Sequence, residues 1–213
     1  MSKDIFIVKD RDDANQLLML LLENKGNYIS GEKISKKFGI TRSAIWKQVN
    51  TLRDMGYTIK SSPKLGYCLE KSPDLLLPEE IWHKSCLKIL GRKVQYCTDT
   101  KSTNDDAKKL AREGAPRGTL VVAERQQGGR GRMGRAWDSP MGGLWLSVVL
   151  RPELLPVDAP KLTIMSAVAV AEAILRSTGI STNIKWPNDI LVDGKKVCGI
   201  LTEMSAEMDA INY

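Results

Sequence analysis

A glycine- and arginine-rich segment, residues 128–137, carries the side chains best suited to chemistry in this sequence. Its glycines let backbone amides approach a ligand closely, and each arginine presents a fixed fork of donors that matches carboxylate or phosphate oxygens. Apolar, β-branched runs at 118–124 and 143–150 flank the segment and predict two strands that hold its ends. The pattern therefore predicts a loop that binds a small anionic ligand.

Three other interpretations of this segment stay open at this point. The spacing of Gly129, Gly131 and Gly134 matches the dinucleotide fingerprint, but that fingerprint must open a helix, and here a proline and a predicted strand follow. A disordered arginine and glycine tract that folds on nucleic acid is usually long and repetitive, whereas this one is short and enclosed by strands. The third interpretation is a solvated basic turn.

The rest of the sequence argues against several kinds of catalytic site. His83 is the one histidine and is distant from the loop, and no metal-ligand cluster occurs, so we expect neither a triad hydrolase nor a protein metal site. No P-loop pattern is present. A site rich in cations and backbone amides suits a reaction in which a carboxylate attacks the α-phosphate of ATP, with Lys185 as the cation between the carboxylate and the phosphate. A surface lysine at a strand end is an equal alternative for Lys185.

Composition bounds the class of protein. The chain has 213 residues, 42% of them hydrophobic, which is enough for one large or two small domains. Its net charge of +7 favours polyanionic partners or phosphate-bearing ligands. Four cysteines without a C-x-x-C pair, and no signal-peptide pattern, predict reduced thiols in a cytoplasmic protein. No apolar run approaches the length of a membrane span, so no membrane partner is expected.

Residues 1–72 predict a winged helix-turn-helix domain. Ser30 and Thr41 are suited to capping two successive helices, and Gly39 between them is suited to ending the first in the left-handed conformation, which sets the helix-turn-helix at about 31–50. Two strand-like runs around a basic tip at 61–65 follow as the wing. The charge favours DNA binding, with protein contact as the alternative. The candidate DNA-binding residues are Arg42, Ser43, Lys47, Asn50 and Lys64.

Residues 73–80 predict a linker, and 81–213 a second domain in which helices pack on a sheet. Its first long helix spans 104–112 and is capped by Ser102 or Thr103, whose role as a cap alone is as well supported as a ligand role. The predicted elements after the loop are a helix at 160–178, a strand at 183–189 that ends in a proline turn, and a hairpin turning at Asp193-Gly194.

Four segments, in this order and spacing, resemble the biotin protein ligases. They are Lys101-Ser102-Thr103-Asn104, the run from Glu124 to Trp137, Lys185-Trp186-Pro187-Asn188-Asp189, and the run from Cys198 to Glu203. The resemblance covers residues 94–203, and the Gly-Arg-Gly-Arg-x-Gly-Arg-x-Trp loop together with Lys-Trp-Pro-Asn-Asp is highly specific to that family. A winged helix in front resembles the bifunctional members, which also repress genes of biotin synthesis or uptake.

The resemblance implies an α+β chain whose catalytic domain is like that of class II aminoacyl-tRNA synthetases. It implies that biotin and Mg-ATP, with Mg2+ bound to the nucleotide, give biotinyl-5′-AMP, and that a lysine of a biotin carboxyl carrier protein from acetyl-CoA carboxylase or a related carboxylase then takes the biotin. The adenylate would act as corepressor for a homodimer on operator DNA. The alternative is a DNA-binding regulator that senses biotin or biotinyl-AMP without ligase turnover.

The same resemblance implies roles for single residues. Lys185 and Arg132 would be catalytic, Trp137 would shelter the adenine, Arg135 would support the phosphates, and Gly199 would line the biotin pocket. The residues expected to contact biotin are Ser102, Thr103, Asn104, Gln126, Gly129, Arg130, Gly131, Arg132, Lys185 and Gly199. Those expected to contact ATP or the adenylate are Arg130, Arg132, Arg135, Trp137 and Lys185. The family's last strands and SH3-like barrel do not follow within 213 residues, so we expect a fragment with weak or no ligase turnover.

Overall fold

The structure, a computed structural model, describes residues 6–11, 15–84, 89–207 and 210–213. It divides into two compact units, Met1–Thr98 and Asp99–Tyr213, called here the N-terminal and C-terminal units. This division falls later in the chain than the linker predicted at 73–80. The domain boundaries given in the sequence analysis therefore stay a prediction. Among the described residues, no helix is both long and apolar enough to cross a bilayer.

The N-terminal unit combines the winged helix-turn-helix with a pair of strands whose pairing the sequence pattern does not indicate. Its first strand pairs antiparallel with its last, which places Phe6 opposite Cys97 and Asp10 opposite Lys93. The elements are β1 (Phe6–Asp10), α1 (Gln16–Glu23), α2 (Gly31–Phe38), α3 (Arg42–Asp54), β2 (Thr58–Ser62), β3 (Gly66–Lys71), α4 (Pro78–Lys84) and β4 (Lys93–Thr100).

Side-chain caps define both helices of the helix-turn-helix. The Ser30 hydroxyl accepts the Lys33 amide at 3.1 Å, and the Thr41 hydroxyl accepts the Ala44 amide at 3.2 Å. Each such cap stabilises a helix by about 1 kcal/mol. Gly39 ends α2 in the left-handed region, as predicted, with φ of 65°. The core beneath these helices consists of Leu17, Leu18, Leu21, Ile34, Ile45, Val49, Leu52 and Leu69, all almost fully buried.

The wing is the antiparallel hairpin of β2 and β3, and Arg53 ties it to α3. The Arg53 guanidinium donates to the Ile59 carbonyl at 2.6 Å and to the Ser61 hydroxyl at 2.7 Å. Gly66 opens β3 with φ of 100°, and a Cβ there would lie 2.0 Å from the Ile29 carbonyl oxygen. Only glycine fits at position 66, because the positive φ disfavours a side chain and the Ile29 backbone occupies the space that a side chain would need.

The C-terminal unit holds the predicted loop between two paired strands. Strand β5 pairs antiparallel with β6, and α5 packs on them through Ala107, Ala111, Val121 and Val149. The predicted helix at 160–178 is confirmed, and Gly179 ends it with φ of 74°. The elements are α5 (Thr103–Arg112), β5 (Leu120–Gln126), β6 (Trp145–Val148), α6 (Pro160–Thr178), β7 (Asn183–Lys185), β8 (Asp189–Val192), β9 (Lys195–Gly199), β10 (Ala206–Glu207) and β11 (Ala210–Ile211).

A three-stranded antiparallel sheet of β7, β8 and β9 follows α6. The segment 183–189, predicted as a strand that ends in a proline turn, is confirmed: β7 is followed by a turn at 186–188 that contains the cis Trp186–Pro187 bond, and β8 starts at Asp189. Lys185 thereby lies opposite Asp189 in the ladder. The hairpin turn predicted at Asp193-Gly194 is confirmed, since both residues have the positive φ values, 48° and 75°, that a tight hairpin turn needs.

Candidate functional site

The glycine- and arginine-rich loop folds as a narrow hairpin between β5 and β6. At its tip, a short 3-10 turn spans Arg132–Gly134, and Met133 adopts the left-handed region with 92% of its surface exposed. The backbone hydrogen bonds that join its two limbs are Gln126 N–H to Ser139 O at 3.0 Å, Trp137 N–H to Gly129 O at 2.9 Å and Gly131 N–H to Arg135 O at 2.7 Å. The loop therefore has a defined frame on which its basic side chains are mounted.

Gly129 is required where the two limbs cross. A Cβ at Gly129 would lie 2.4 Å from the Trp137 carbonyl oxygen and 2.5 Å from the Ser139 hydroxyl oxygen. Gly128 lies just before this crossing, and its amide donates to the Lys101 carbonyl at 2.8 Å. Contacts within the protein are thus sufficient reason for Gly129, before any ligand is considered.

The start of α5 is capped by a side chain from β5, which corrects the predicted cap. Gln126 Oε1 accepts the Thr103 amide at 2.8 Å and the Thr103 hydroxyl at 3.1 Å. The Gln126 side-chain amide donates onward to the Ser139 hydroxyl at 3.0 Å. Ser102 occupies the N-cap position and is 3% exposed, yet its hydroxyl makes no capping hydrogen bond. Ser102 is therefore the buried polar side chain here that helix capping does not explain.

Two residues predicted to contact biotin are engaged with carboxylates of the protein. Arg130 binds both oxygens of Asp105 through its two η nitrogens. Asn104 donates to Glu203 Oε2 at 2.8 Å and accepts from the Ser147 hydroxyl. Sequence reasoning gave Asp105 no role, because an acidic residue in the first turn of a helix is sufficiently explained by the helix dipole. Glu203 ends the last of the four motif segments, but no local pattern names Asn104 as its partner.

The loop tip meets the turn that follows Lys185. Arg132 donates through one η nitrogen to Asn188 Oδ1 at 3.0 Å, and the Asn188 side-chain amide donates to the Ile200 carbonyl at 3.2 Å. Lys185 is exposed at the end of β7, directly before this turn. Arg135 is exposed on the returning limb of the loop. The two sequence motifs most specific for the resemblance are thus in direct contact, through residues 56 positions apart in the chain.

Trp137 and Gly199 are also brought together, by a lysine that sequence reasoning missed. The Lys196 ammonium lies 4.7 Å from the centre of the Trp137 ring and 2.7 Å from Asp189 Oδ1. A Cβ at Gly199 would lie 3.1 Å from Lys196 Cε and 3.3 Å from the Trp137 ring. A cation on a tryptophan face is a favourable electrostatic contact. Nothing in the local pattern around Lys196 distinguishes it from its exposed neighbour Lys195.

The candidate DNA-binding residues lie on α3 and the wing of the N-terminal unit. Arg42, Ser43 and Lys47 are exposed on α3, and Lys64 is exposed at the tip of the wing. Asn50 differs, because it is half-buried and accepts a hydrogen bond from Arg53 at 3.0 Å. Trp46, which the sequence prediction did not include, is 57% exposed on the same helix.

A comparison with protein families decides the relationship. Residues 94–211 match the Biotin/lipoate A/B protein ligase family. The chain belongs to this family. A second match, to an HTH domain, covers residues 14–68 and agrees with the helix-turn-helix seen in the N-terminal unit. The ligase-family region includes α5, the loop and the sheet of β7, β8 and β9.

Curated relatives of the ligase family share both parts. The chain is 45% identical over 203 residues to the bifunctional ligase/repressor BirA of Bacillus subtilis, covering 94% of this chain and 62% of that protein. It is 34% identical to the protein of the same name from Escherichia coli, covering 92% of this chain and 60% of the other. A solved structure titled biotin protein ligase from Aquifex aeolicus in complex with biotin and ATP is 34% identical, with a TM-score of 0.45, over 55% of this chain and 48% of that one.

Proposed function

We propose that the protein is a biotin protein ligase. The observation that carries the proposal is the contact of the loop tip with the Lys-Trp-Pro-Asn-Asp turn, made by Arg132 and Asn188 in a chain of the ligase family. The relatives named for ligase and repressor activity support the same assignment, and the chain spans 62% of the length of the first of them.

The proposed reaction has two steps. In the first, the biotin carboxylate attacks the α-phosphorus of ATP, which arrives as its Mg2+ complex, and the bond to the β-phosphate breaks to release pyrophosphate. In the second, a carrier-protein lysine attacks the acyl carbon and AMP leaves. The first attack needs no base, because the biotin carboxylate is already ionised, so the protein's work in that step is positioning and charge stabilisation. In the second step the lysine ammonium must first lose a proton to become the attacking amine, and the amine loses another as the amide forms.

Lys185 and Arg132 are proposed to stabilise the negative charge that develops at the α-phosphate. Both are exposed to an incoming ligand, and Arg132 uses only one η nitrogen on a neutral amide, which leaves donors for an anion. Ser102 is proposed to bind the polar part of the biotin ring system, because its buried hydroxyl is not used for capping. Trp137 and Gly199, which lie together, are proposed to form the adenine side, with Arg135 near the phosphates.

Repression of biotin genes is the second proposed function. The exposed Arg42, Lys47 and Lys64 on α3 and the wing supply the cations that phosphate contacts require. We propose operator DNA and a carboxylase carrier protein as partners of a cytoplasmic homodimer, with the adenylate as corepressor. A regulator that senses biotin without turnover is the competing function, and only turnover separates the two.

Biotin-dependent exchange between pyrophosphate and ATP tests the ligase proposal. In the complete protein, Lys185→Ala should lower the exchange rate by about 10²-fold or more, as loss of a transition-state cation does. Lys195→Ala removes an equally exposed lysine from the next hairpin and should leave the rate unchanged. Unchanged exchange in Lys185→Ala would overturn the assignment, and biotin binding without any exchange in the unmutated protein would favour the sensor.

A further inference from the structure

Four charged side chains form a closed ring that the proposed reaction does not use. The members are Asp105 and Lys108 of α5, Arg130 of the loop and Glu203 after β9, and we call them the charge ring. Each cation contacts each carboxylate. Arg130 binds Asp105 through both η nitrogens and reaches Glu203 at 3.5 Å, while Lys108 lies 3.4 Å from Asp105 and 3.0 Å from Glu203.

The Asn104 side-chain amide fixes the Glu203 carboxylate from outside the charge ring. Asn104 donates to Glu203 at 2.8 Å and to the Leu201 carbonyl at 3.3 Å. The ring therefore fastens the outgoing limb of the loop to the first turn of α5 and to the chain after β9.

The titration of the carboxylates matches this arrangement. The Arg130 guanidinium, hydrogen-bonded to Asp105, lowers the pKa of that carboxyl to about 2. Burial acts to raise the pKa of Glu203, but hydrogen bonds from Asn104 and Lys108 outweigh it and lower the value. Both carboxylates are thus ionised at physiological pH and can pair with Arg130.

We propose that Arg130 is a positioning residue for the loop, held by Asp105, and not a ligand of the reacting anion. This inference rests on the proposed ligase function and divides the work of the loop arginines. Arg130 has both η nitrogens on a carboxylate, whereas the hydrogen bond that the Arg132 side chain makes within the described part of the chain is to the neutral Asn188. Withdrawing Arg130 towards an acyl phosphate would leave Asp105 and Glu203 less compensated beside an anionic ligand, which is unfavourable.

The two possible roles of Arg130 predict opposite effects of Asp105→Asn. If Asp105 holds a positioning residue, the substitution loosens the loop, and the KM values for biotin and ATP should rise about five-fold, as expected for a partly exposed pair. If Arg130 is a ligand that Asp105 sequesters, the substitution frees it and the KM values fall. Glu113→Gln removes an exposed carboxylate from the end of the same helix and should change neither constant.

A double-mutant cycle with Arg130→Gln completes the kinetic test. Because Asp105 and Arg130 share a two-point contact, their effects should not add, and the double variant should be no worse than the worse single variant. KM values that multiply in the double variant, or that fall in Asp105→Asn, would overturn the proposal. Asp105→Glu, which keeps the charge, should recover part of the loss.

Trypsin cleavage after Arg132 and Arg135 gives a readout independent of ligase activity. Both Asp105→Asn and Arg130→Gln should speed cleavage at these two sites about five-fold, since local opening exposes the loop, while thermal unfolding stays that of the unmutated protein. Equal cleavage rates in all proteins would refute the positioning role. If pyrophosphate exchange is absent in the unmutated protein but cleavage accelerates as expected, the ligase proposal fails and the structural role of the charge ring stands.

Discussion

Basic side chains are used differently in the two units. On α3 and the wing of the N-terminal unit, Arg42, Lys47 and Lys64 project into solvent, where they suit the evenly spaced phosphates of a long polyanion. In the C-terminal unit, Arg130 and Arg132 are fixed by contacts with other segments of the chain. A small ligand needs cations at defined positions, and the cost of ordering those side chains is met by protein contacts before the ligand arrives.

The same contrast holds for one glycine in each unit. Gly66 has both a positive φ and a backbone oxygen 2.0 Å from its missing Cβ, so its constraint concerns folding. Gly129 is crowded by Trp137 and Ser139 of the opposite limb, so its constraint concerns the shape of the loop. Substitutions at these two positions should therefore separate stability from catalysis.

Gly66→Ala should give the largest effect of all. The added methyl group collides with the Ile29 carbonyl, and the residue must keep φ of 100°, so the N-terminal unit should lose more than about 3 kcal/mol of unfolding free energy. Gly39→Ala is the control, because its φ is also positive but no atom lies within 4 Å of its Cβ, and about 1 kcal/mol is expected. Chemical denaturation measures both, and equal losses would show that the crossing at Ile29 is not tight.

Gly129→Ala should damage catalysis rather than folding. The two limbs of the loop must separate to admit the methyl group, which displaces Trp137 and the loop arginines, and a displacement of about 1 Å can cost about 10²-fold in rate. Gly131→Ala serves as the matched control, since the nearest atom to its Cβ is 3.7 Å away. Pyrophosphate exchange and thermal unfolding should be measured together. A Gly131→Ala loss as large as that of Gly129→Ala would show that ligand contact, and not limb crossing, selects glycine here.

Arg132→Ala should release the reactive intermediate. Without this side chain the loop tip loses its contact with Asn188 and the anion loses a cation, so biotinyl-AMP should escape and label lysines of unrelated proteins. Biotin incorporated into serum albumin, detected with streptavidin, measures the escape. Arg117→Ala removes an exposed arginine at the turn before β5 and should not increase labelling. If Arg132→Ala retains the adenylate as firmly as the unmutated protein, the proposed role of Arg132 is wrong.

Local patterns predicted the elements whose determinants lie within a few residues. The caps at Ser30 and Thr41, the stop at Gly39 and the turn at Asp193 depend on side chains that act on their own or adjacent backbone. The bounds of α6 follow in the same way from its breaker-free sequence and from Gly179. The resemblance to the family motifs adds proposed roles for the loop and for Lys185, which stay predictions.

Partners distant in sequence could not be predicted from these patterns. Strand β1 pairs with β4 more than eighty positions away, and the short run Phe6–Asp10 has no feature that names this partner. The cap of α5 comes from Gln126, although Ser102 is the better cap by residue type. The Asp105 partner of Arg130 likewise became visible only when the fold placed the first turn of α5 beside the loop.

Lys47→Ala should have the smallest effect and sharpens the contrast between free and fixed cations. If Lys47 contacts a phosphate, its loss weakens binding to a random-sequence DNA duplex by less than about ten-fold and lowers the slope of log K against log salt by about one. Lys60→Ala is the comparison, because the Lys60 ammonium is held by Glu70 at 2.5 Å and its charge is already compensated. Lys60→Ala should leave the slope unchanged, as fluorescence anisotropy at several salt concentrations can measure. Equal slope changes in the two variants would mean that a lysine paired with a carboxylate on the protein surface still contributes its charge to DNA binding. The contrast between free and fixed cations would then hold only for small ligands.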